Sequence, residues 1–161
     1  MADESGWNDR LQEKEASSLS HSRSAEAAAR SVLLVDDNRT DALIIREVLK
    51  SSGFELEIRT VSDGAAALEC LNDFIPALIL LDLNLPKISG LEVLREIRQR
   101  DPLAGVPVVI VTSSNSARDR QAAREFNAAA YFCKPDNLAE FMSLAGIVGG
   151  ILGAAAEGET S

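Results

Sequence analysis

Five short apolar runs alternate along the chain with five stretches whose apolar residues recur every three or four positions. Val32-Leu33-Leu34-Val35, Leu78-Ile79-Leu80-Leu81 and Val106-Pro107-Val108-Val109-Ile110-Val111-Thr112 are continuous and predict strands buried on both faces. Leu56-Glu57-Ile58-Arg59-Thr60-Val61 alternates and predicts a more exposed strand, and Ala129-Ala130-Tyr131-Phe132-Cys133 predicts the last one. Between them, Leu43, Ile44, Val48 and Leu49 predict a helix over 40–52, stopped by Ser51-Ser52-Gly53. Ala66, Leu68, Leu71 and Phe74 predict a second over 65–74. Leu91, Leu94 and Ile97 predict a third ending at Asp101-Pro102. A fourth runs over 117–126 with a charged face of Arg118, Asp119, Arg120, Arg124 and Glu125, and a fifth spans about Leu138 to Ile151, capped by Asn137 or Asp136. Strands alternating with helices at this spacing imply right-handed crossovers, so the fold class is α/β: a doubly wound parallel sheet with helices on both faces.

The remaining chain divides by composition. Residues 1–30 are rich in Ser, Ala, Glu and Arg with a thin apolar pattern, and are expected to be a mobile leader. One domain is expected over 31–152, followed by a flexible tail over 153–161. The last apolar segment holds Gly146, Gly149, Gly150 and Gly153, is too short and glycine-rich to span a membrane, and reads as core packing plus a partner surface. The formal net charge of −9 argues against nucleic-acid and anionic-membrane partners. Two cysteines without framework spacing, Cys70 and Cys133, and a polar N-terminus without a signal-peptide core point to a cytoplasmic setting. Cys133, next to Lys134, reads as an inert core thiol. The one histidine, His21, lies between serines in the leader and reads as solvated.

Candidate chemistry falls at the strand ends. Asp36 and Asp37 end the first strand, Asp82 the third, Thr112 the fourth and Lys134 the fifth. Parallel strands bring these to one sheet edge, where open α/β sheets place their sites. Three neighbouring carboxylates raise one another's pKa unless a cation is present, and an all-oxygen set with room for waters suits Mg²⁺. An Asp carboxylate can attack phosphorus to form an acyl phosphate. Phosphoryl transfer then needs position and positive charge, from the metal on one side and Lys134 on the other, with the Thr112 hydroxyl donating to a phosphoryl oxygen. Taken singly, Asp82 reads equally as a solvated strand end, Lys134 as a structural ion pair and Thr112 as a helix cap. The whole set on successive strands favours Asp82 as a phosphoryl acceptor.

Val35-Asp36-Asp37-Asn38, Leu81-Asp82-Leu83-Asn84-Leu85-Pro86 with Gly90, Val111-Thr112-Ser113 and Tyr131-Phe132-Cys133-Lys134-Pro135 resemble the receiver domains of two-component response regulators over about 31–150. The resemblance implies a CheY-like, flavodoxin-like (βα)5 fold with strand order 2-1-3-4-5. It implies Asp82 as phospho-acceptor, and Mg²⁺ held by Asp36, Asp37, Asp82 and the backbone carbonyl of Asn84. It implies Lys134 as the phosphate-pairing lysine before a cis bond at Pro135, Thr112 as switch hydroxyl and Tyr131 as switch aromatic. It also implies that Asn84 and Ser114, two residues beyond Asp82 and Thr112, tune phosphoryl lifetime. The implied output is a phosphorylation-dependent change of the face formed by helix 4, strand 5 and helix 5.

No segment after the fifth helix has the length of an output domain, so a stand-alone regulator is expected, not an enzyme. Its expected partners are a sensor histidine kinase or histidine phosphotransfer protein, and a second copy through that same face. The Leu83-Asn84-Leu85-Pro86-Lys87 stretch resembles small regulators paired with phytochrome-type kinases. The alternatives are a receiver-like module that binds partners without phosphate, and an aspartyl-phosphate phosphatase of the haloacid-dehalogenase type. The latter resembles Asp-x-Asp on a first strand, whereas here Asp82 ends the third and Asn84 replaces the second acid.

Overall fold

The computed structural model describes residues 30–53 and 55–160, with side chains through 153. Five parallel strands form one sheet in the order β2-β1-β3-β4-β5. They are β1 (Ser31–Val35), β2 (Glu57–Val61), β3 (Leu78–Leu81), β4 (Val108–Thr112) and β5 (Ala130–Cys133). Helices α1 (Arg39–Leu49), α2 (Gly64–Cys70), α3 (Gly90–Gln99) and α4 (Ala117–Glu125) follow the first four strands, a 3-10 turn (Leu103–Gly105) precedes β4, and α5 (Leu138–Phe141) and α6 (Ser143–Thr160) follow β5. The order 2-1-3-4-5 is the expected one.

Side chains alternate across a strand, and here the alternation makes two cores. Val32, Leu34, Leu78, Leu80, Val109 and Val111 pack with Ile45 and Leu49 of α1 and with Leu144 and Val148 of α6. Leu33, Val35, Ile79, Leu81, Val108 and Ile110 pack with Ala67 of α2, Leu94 and Ile97 of α3 and Ala123 of α4. Every residue of β1, β3 and β4 is buried, whereas β2 at the sheet edge is largely exposed, as its alternation predicts.

The helix starts are fixed locally. Asn38, Asp63, Ser89, Ser116 and Asn137 each accept a hydrogen bond from the backbone N–H three residues on. Each such cap contributes about 1 kcal/mol by satisfying a first-turn N–H that has no partner within its helix.

Several expectations change. Leu43 is 61% exposed; the buried stripe of α1 is Ala42, Ile45, Val48 and Leu49, one position round from the predicted face. Helix α2 ends at Cys70, and Phe74 lies beyond it, half-buried under the Arg59 guanidinium. The fifth helix is two pieces with Met142 between them, and α6 continues past Ile151 through the expected tail as far as Thr160. Leu144, Ala145, Val148 and Leu152 of α6 are buried, but Gly146 and Gly150 face open space, so neither is needed for close packing. The leader, apart from Arg30, and with it His21, lies outside the described residues.

Candidate functional site

The sheet ladder runs one residue beyond the strand ends and so builds the site from backbone. Asp36 N–H donates to Val61 O (3.1 Å), Asp82 N–H to Val35 O (3.0 Å) and Lys134 N–H to Thr112 O (2.8 Å). Asp36, Asp82 and Thr112 are thereby buried at one edge, while Asp37 is exposed. Gly90 keeps this edge compact. Its N–H donates to Leu83 O at 3.0 Å, and a Cβ there would strike the Asp82 carbonyl oxygen and come within 2.6 Å of Leu83 Cα.

Lys134 reaches the acids with an almost fully buried side chain. Its Nζ lies 2.9 Å from Asp36 Oδ2, 2.9 Å from Asp41 Oδ2 and 3.0 Å from Asp82 Oδ2. The contacts to Asp41 and Asp82 are aligned hydrogen bonds. The Asp36 contact is an ion pair at similar distance without that alignment, so Asp36 Oδ2 is buried without a directed donor. Burial works against the ammonium charge, but the three carboxylates outweigh it and raise the Lys134 pKa well above the ordinary lysine value. For Asp36, burial dominates: its pKa is raised despite the lysine and the Asn38 N–H.

One carboxylate oxygen each from Asp36, Asp37 and Asp82 lie within 4.8 Å of one another. This all-oxygen set, on residues that include the under-satisfied Asp36, fits a hard divalent cation. Asn84 is exposed on the loop after β3, and its N–H donates to Asp82 Oδ1 at 3.1 Å.

Thr112, Ser114 and Tyr131 belong to an adjoining network. The Thr112 hydroxyl, fully buried, lies 3.4 Å from the Ser114 N–H that donates to it. Ser114 Oγ donates to Asp119 Oδ2 at 2.5 Å, and the half-buried Tyr131 donates its hydroxyl to Ser114 O at 3.0 Å. Burial raises the Tyr131 phenol pKa. The Arg120 guanidinium sits 4.6 Å from the Tyr131 ring centroid. Asp119 and Arg120, expected on a solvated face, are thus partly engaged against the β4–α4 loop. Cys133 is half-buried, its sulfur 3.8 Å from Ser114 O.

The cis bond expected at Pro135 is absent: among the described residues the cis X-Pro bond is Asp101–Pro102. Lys134 meets all three acids with the trans isomer, which X-Pro bonds favour by about 0.5–1 kcal/mol. Asp41 was not among the expected residues. Its signal was an acid in the first turn of α1, directly after the Asp36-Asp37 pair.

A family model for the response regulator receiver domain matches residues 32–145. The chain belongs to this family. Receiver relatives include the response regulator Rcp1 of Synechocystis sp., 40% identical over 120 residues, covering 70% of this chain and 82% of Rcp1. The polar-differentiation response regulator DivK of Brucella anthropi is 35% identical over 113 residues, covering 70% and 90%. Among solved receivers, the Mn²⁺-bound form of Rcp1 superposes with TM-score 0.66 at 40% identity, covering 76% of this chain and 91% of that one. The phosphorylated cyanobacterial phytochrome response regulator RcpA gives 0.66 at 37% identity, covering 76% and 90%. Among the described residues no helix is long and apolar enough to cross a membrane.

Proposed function

We propose that this receiver takes a phosphoryl group onto Asp82 and signals through the resulting change in the β4–α4 loop and β5. The observation that carries this reading is the Lys134 ammonium 3.0 Å from Asp82 Oδ2, beside the paired oxygens of Asp36 and Asp37. Asp82 attacks the phosphorus of a phosphohistidine. The new P–O bond forms as the P–N bond breaks, and the imidazole leaves with the electron pair. Lys134 is placed to neutralise charge on the transferring group from one side. Asp36, Asp37, Asp82 and the Asn84 carbonyl would hold Mg²⁺, which supplies Lewis-acid charge on the other. The Mn²⁺-bound relative and the oxygen donor set support this.

The switch then follows from the second network. A phosphoryl oxygen on Asp82 attracts the Thr112 hydroxyl, which draws on the Ser114 N–H it now accepts from. Moving Ser114 disturbs the acceptor of the Tyr131 hydroxyl and so the β5–α4 surface. Ser114 and Asn84, next to Thr112 and Asp82, set how readily water reaches the acyl phosphate. The donor is a histidine kinase or phosphotransfer protein, of phytochrome type by similarity to RcpA, and the output is contact with a partner or a second copy through that surface.

The test is intact mass after incubation with acetyl phosphate and Mg²⁺, for the parent and for Asp82→Asn. A gain of one phosphoryl group that needs the metal and vanishes in Asp82→Asn is expected. No gain from either acetyl phosphate or a phosphorylated kinase would favour a phosphate-independent interaction module. Phosphate release far beyond one equivalent, lost in Asp82→Asn, would favour a phosphatase.

A further inference from the structure

Three carboxylates surround Lys134, but they stand in different relations to the chemistry. Asp36 and Asp82 belong to the oxygen set that fits a cation, and Asp82 is the proposed acceptor. Asp41 is in neither group, and yet it makes one of the two aligned hydrogen bonds to the ammonium, at 2.9 Å. It lies on a different element from the other two, in the first turn of α1. Its own backbone is fixed: Asp41 N–H donates to the cap Asn38 Oδ1 (3.0 Å), and Asn38 N–H donates to Asp36 Oδ1 (2.9 Å). The contacts close a ring, Asp36–Asn38–Asp41–Lys134 and back to Asp36, which ties the start of α1 to the tip of the lysine.

We propose that Asp41 is the positioning residue for Lys134. Resting on the phosphoryl-acceptor reading of Asp82, the reasoning concerns which partners the ammonium keeps. A lysine ammonium has three N–H donors on a flexible four-carbon stem. With a cation held by Asp36 and Asp82, and with Asp82 converted to an acyl phosphate, two of the three oxygens that now face Nζ would lose charge or change place. Asp41 changes neither its charge nor its covalent state. It holds one N–H throughout and leaves the others aimed at Asp82 and at whatever oxygen Asp82 carries. Preorganised charge of this kind lowers the barrier without reorganisation at the moment of transfer. Its carboxylate is also partly exposed, at 25%, so it retains hydration that the buried Asp36 lacks.

The role predicts different behaviour for two variants. Asp41→Ala removes the acceptor, and Asp41→Asn keeps an acceptor oxygen at the same place without the charge. Two readouts on the full chain separate them. The first is the rate of phosphoryl uptake from acetyl phosphate at saturating Mg²⁺. The second is the ¹⁵N spectrum of the lysine ammonium, assigned with Lys134→Met, recorded without phosphate donor. Asp41→Ala is expected to slow uptake about tenfold, leave Mg²⁺ affinity within twofold, and turn the ordered, slowly exchanging ammonium signal into a mobile one. Asp41→Asn should recover most of both.

Unchanged uptake and an unchanged ammonium signal in Asp41→Ala would overturn the proposal. So would faster uptake in both variants, because Asp41 would then compete with phosphate for the lysine. If the parent takes up no phosphoryl group, the acceptor reading of Asp82 fails. The ammonium signal still decides, in that case, whether Asp41 orders Lys134.

Discussion

Two cations sit at opposite edges of the sheet, and they keep opposite company. At the edge where strands end, Lys134 meets three carboxylates within 3.0 Å. At the edge where strands begin, Arg98 of α3 meets, among the described residues, only backbone carbonyls: its Nε donates to Phe126 O (2.9 Å), one Nη to Ala104 O (3.1 Å) and Val106 O (2.8 Å), and the other to Asn127 O (2.9 Å). Burial holds the Arg98 pKa below its usual value. Arginine's planar fork suits several fixed acceptors, and it clamps α3 to the turn before β4 and to the end of α4. Lysine's point charge suits mobile acids. One cation fastens the fold, and the other faces acids whose charge would change under the proposed phosphoryl transfer. A buried cation therefore marks a site only when its partners are themselves able to gain or lose charge.

The strongest way to break this contrast is to remove Lys134. Lys134→Met should cut phosphoryl uptake from acetyl phosphate by about a hundredfold or more. It should also destabilise the metal-free protein by about 3 kcal/mol at neutral pH, because three acids lose their cation. Added Mg²⁺ should restore much of that loss, as read in urea melts with and without the metal. Equal destabilisation with and without Mg²⁺ would show that the acids do not share a cation.

Arg98→Met is the mirror experiment. Four carbonyls lose their donor, at an expected cost of about 3 kcal/mol. Uptake per folded molecule should stay within twofold, and Arg98→Lys should rescue little of the stability. An uptake loss matching that of Lys134→Met would erase the distinction between the two edges.

Gly90→Ala tests how closely fastening and chemistry meet. Its Cβ would collide with the Asp82 carbonyl oxygen, at a cost of about 2 kcal/mol by overpacking. Unlike the arginine change, it should also slow uptake, since Asp82, the proposed acceptor, must shift. Thermal midpoint and uptake rate measured together distinguish these outcomes.

The smallest expected effect concerns Asp63, the cap of α2. The hydrogen bond from Ala66 N–H, aided by Lys87, holds its carboxyl below the ordinary value of 3.8. A lowered folded pKa contributes stability that is present above the unfolded value and lost as pH falls through the folded one. Asp63→Asn keeps the cap but not the titration. Its stability should therefore fall less steeply than the parent's below about pH 4 in urea melts across pH 3–5. Parallel curves would assign that slope to other acids.

Most of the architecture was readable from apolar period alone, because β1, β3 and β4 are buried on both faces and their runs are unbroken. The acids and the lysine were readable because parallel strands must deliver their ends to one edge. What stayed hidden depends on three-dimensional reach. Leu43 carries an apolar side chain on a solvent face, which spacing cannot distinguish from the core side. Asp41 resembles any first-turn acid until Lys134 is seen to touch it. Arg98 binds carbonyls, which leave no trace in side-chain identity. The bond before Pro135 is trans where the resemblance implies cis, and Lys134 reaches the acids with it.

The two cores have a consequence for how substitutions combine. Successive residues of one strand, such as Leu33 and Leu34, belong to different packing units separated by the sheet itself. A truncation in one unit leaves the neighbours of the other untouched, so paired truncations on opposite faces should sum to within about 0.5 kcal/mol, while pairs within a face should not. Sequence drift on the α1–α6 side is thereby uncoupled from drift on the α2–α3–α4 side, and only the backbone of five short strands is common to both histories.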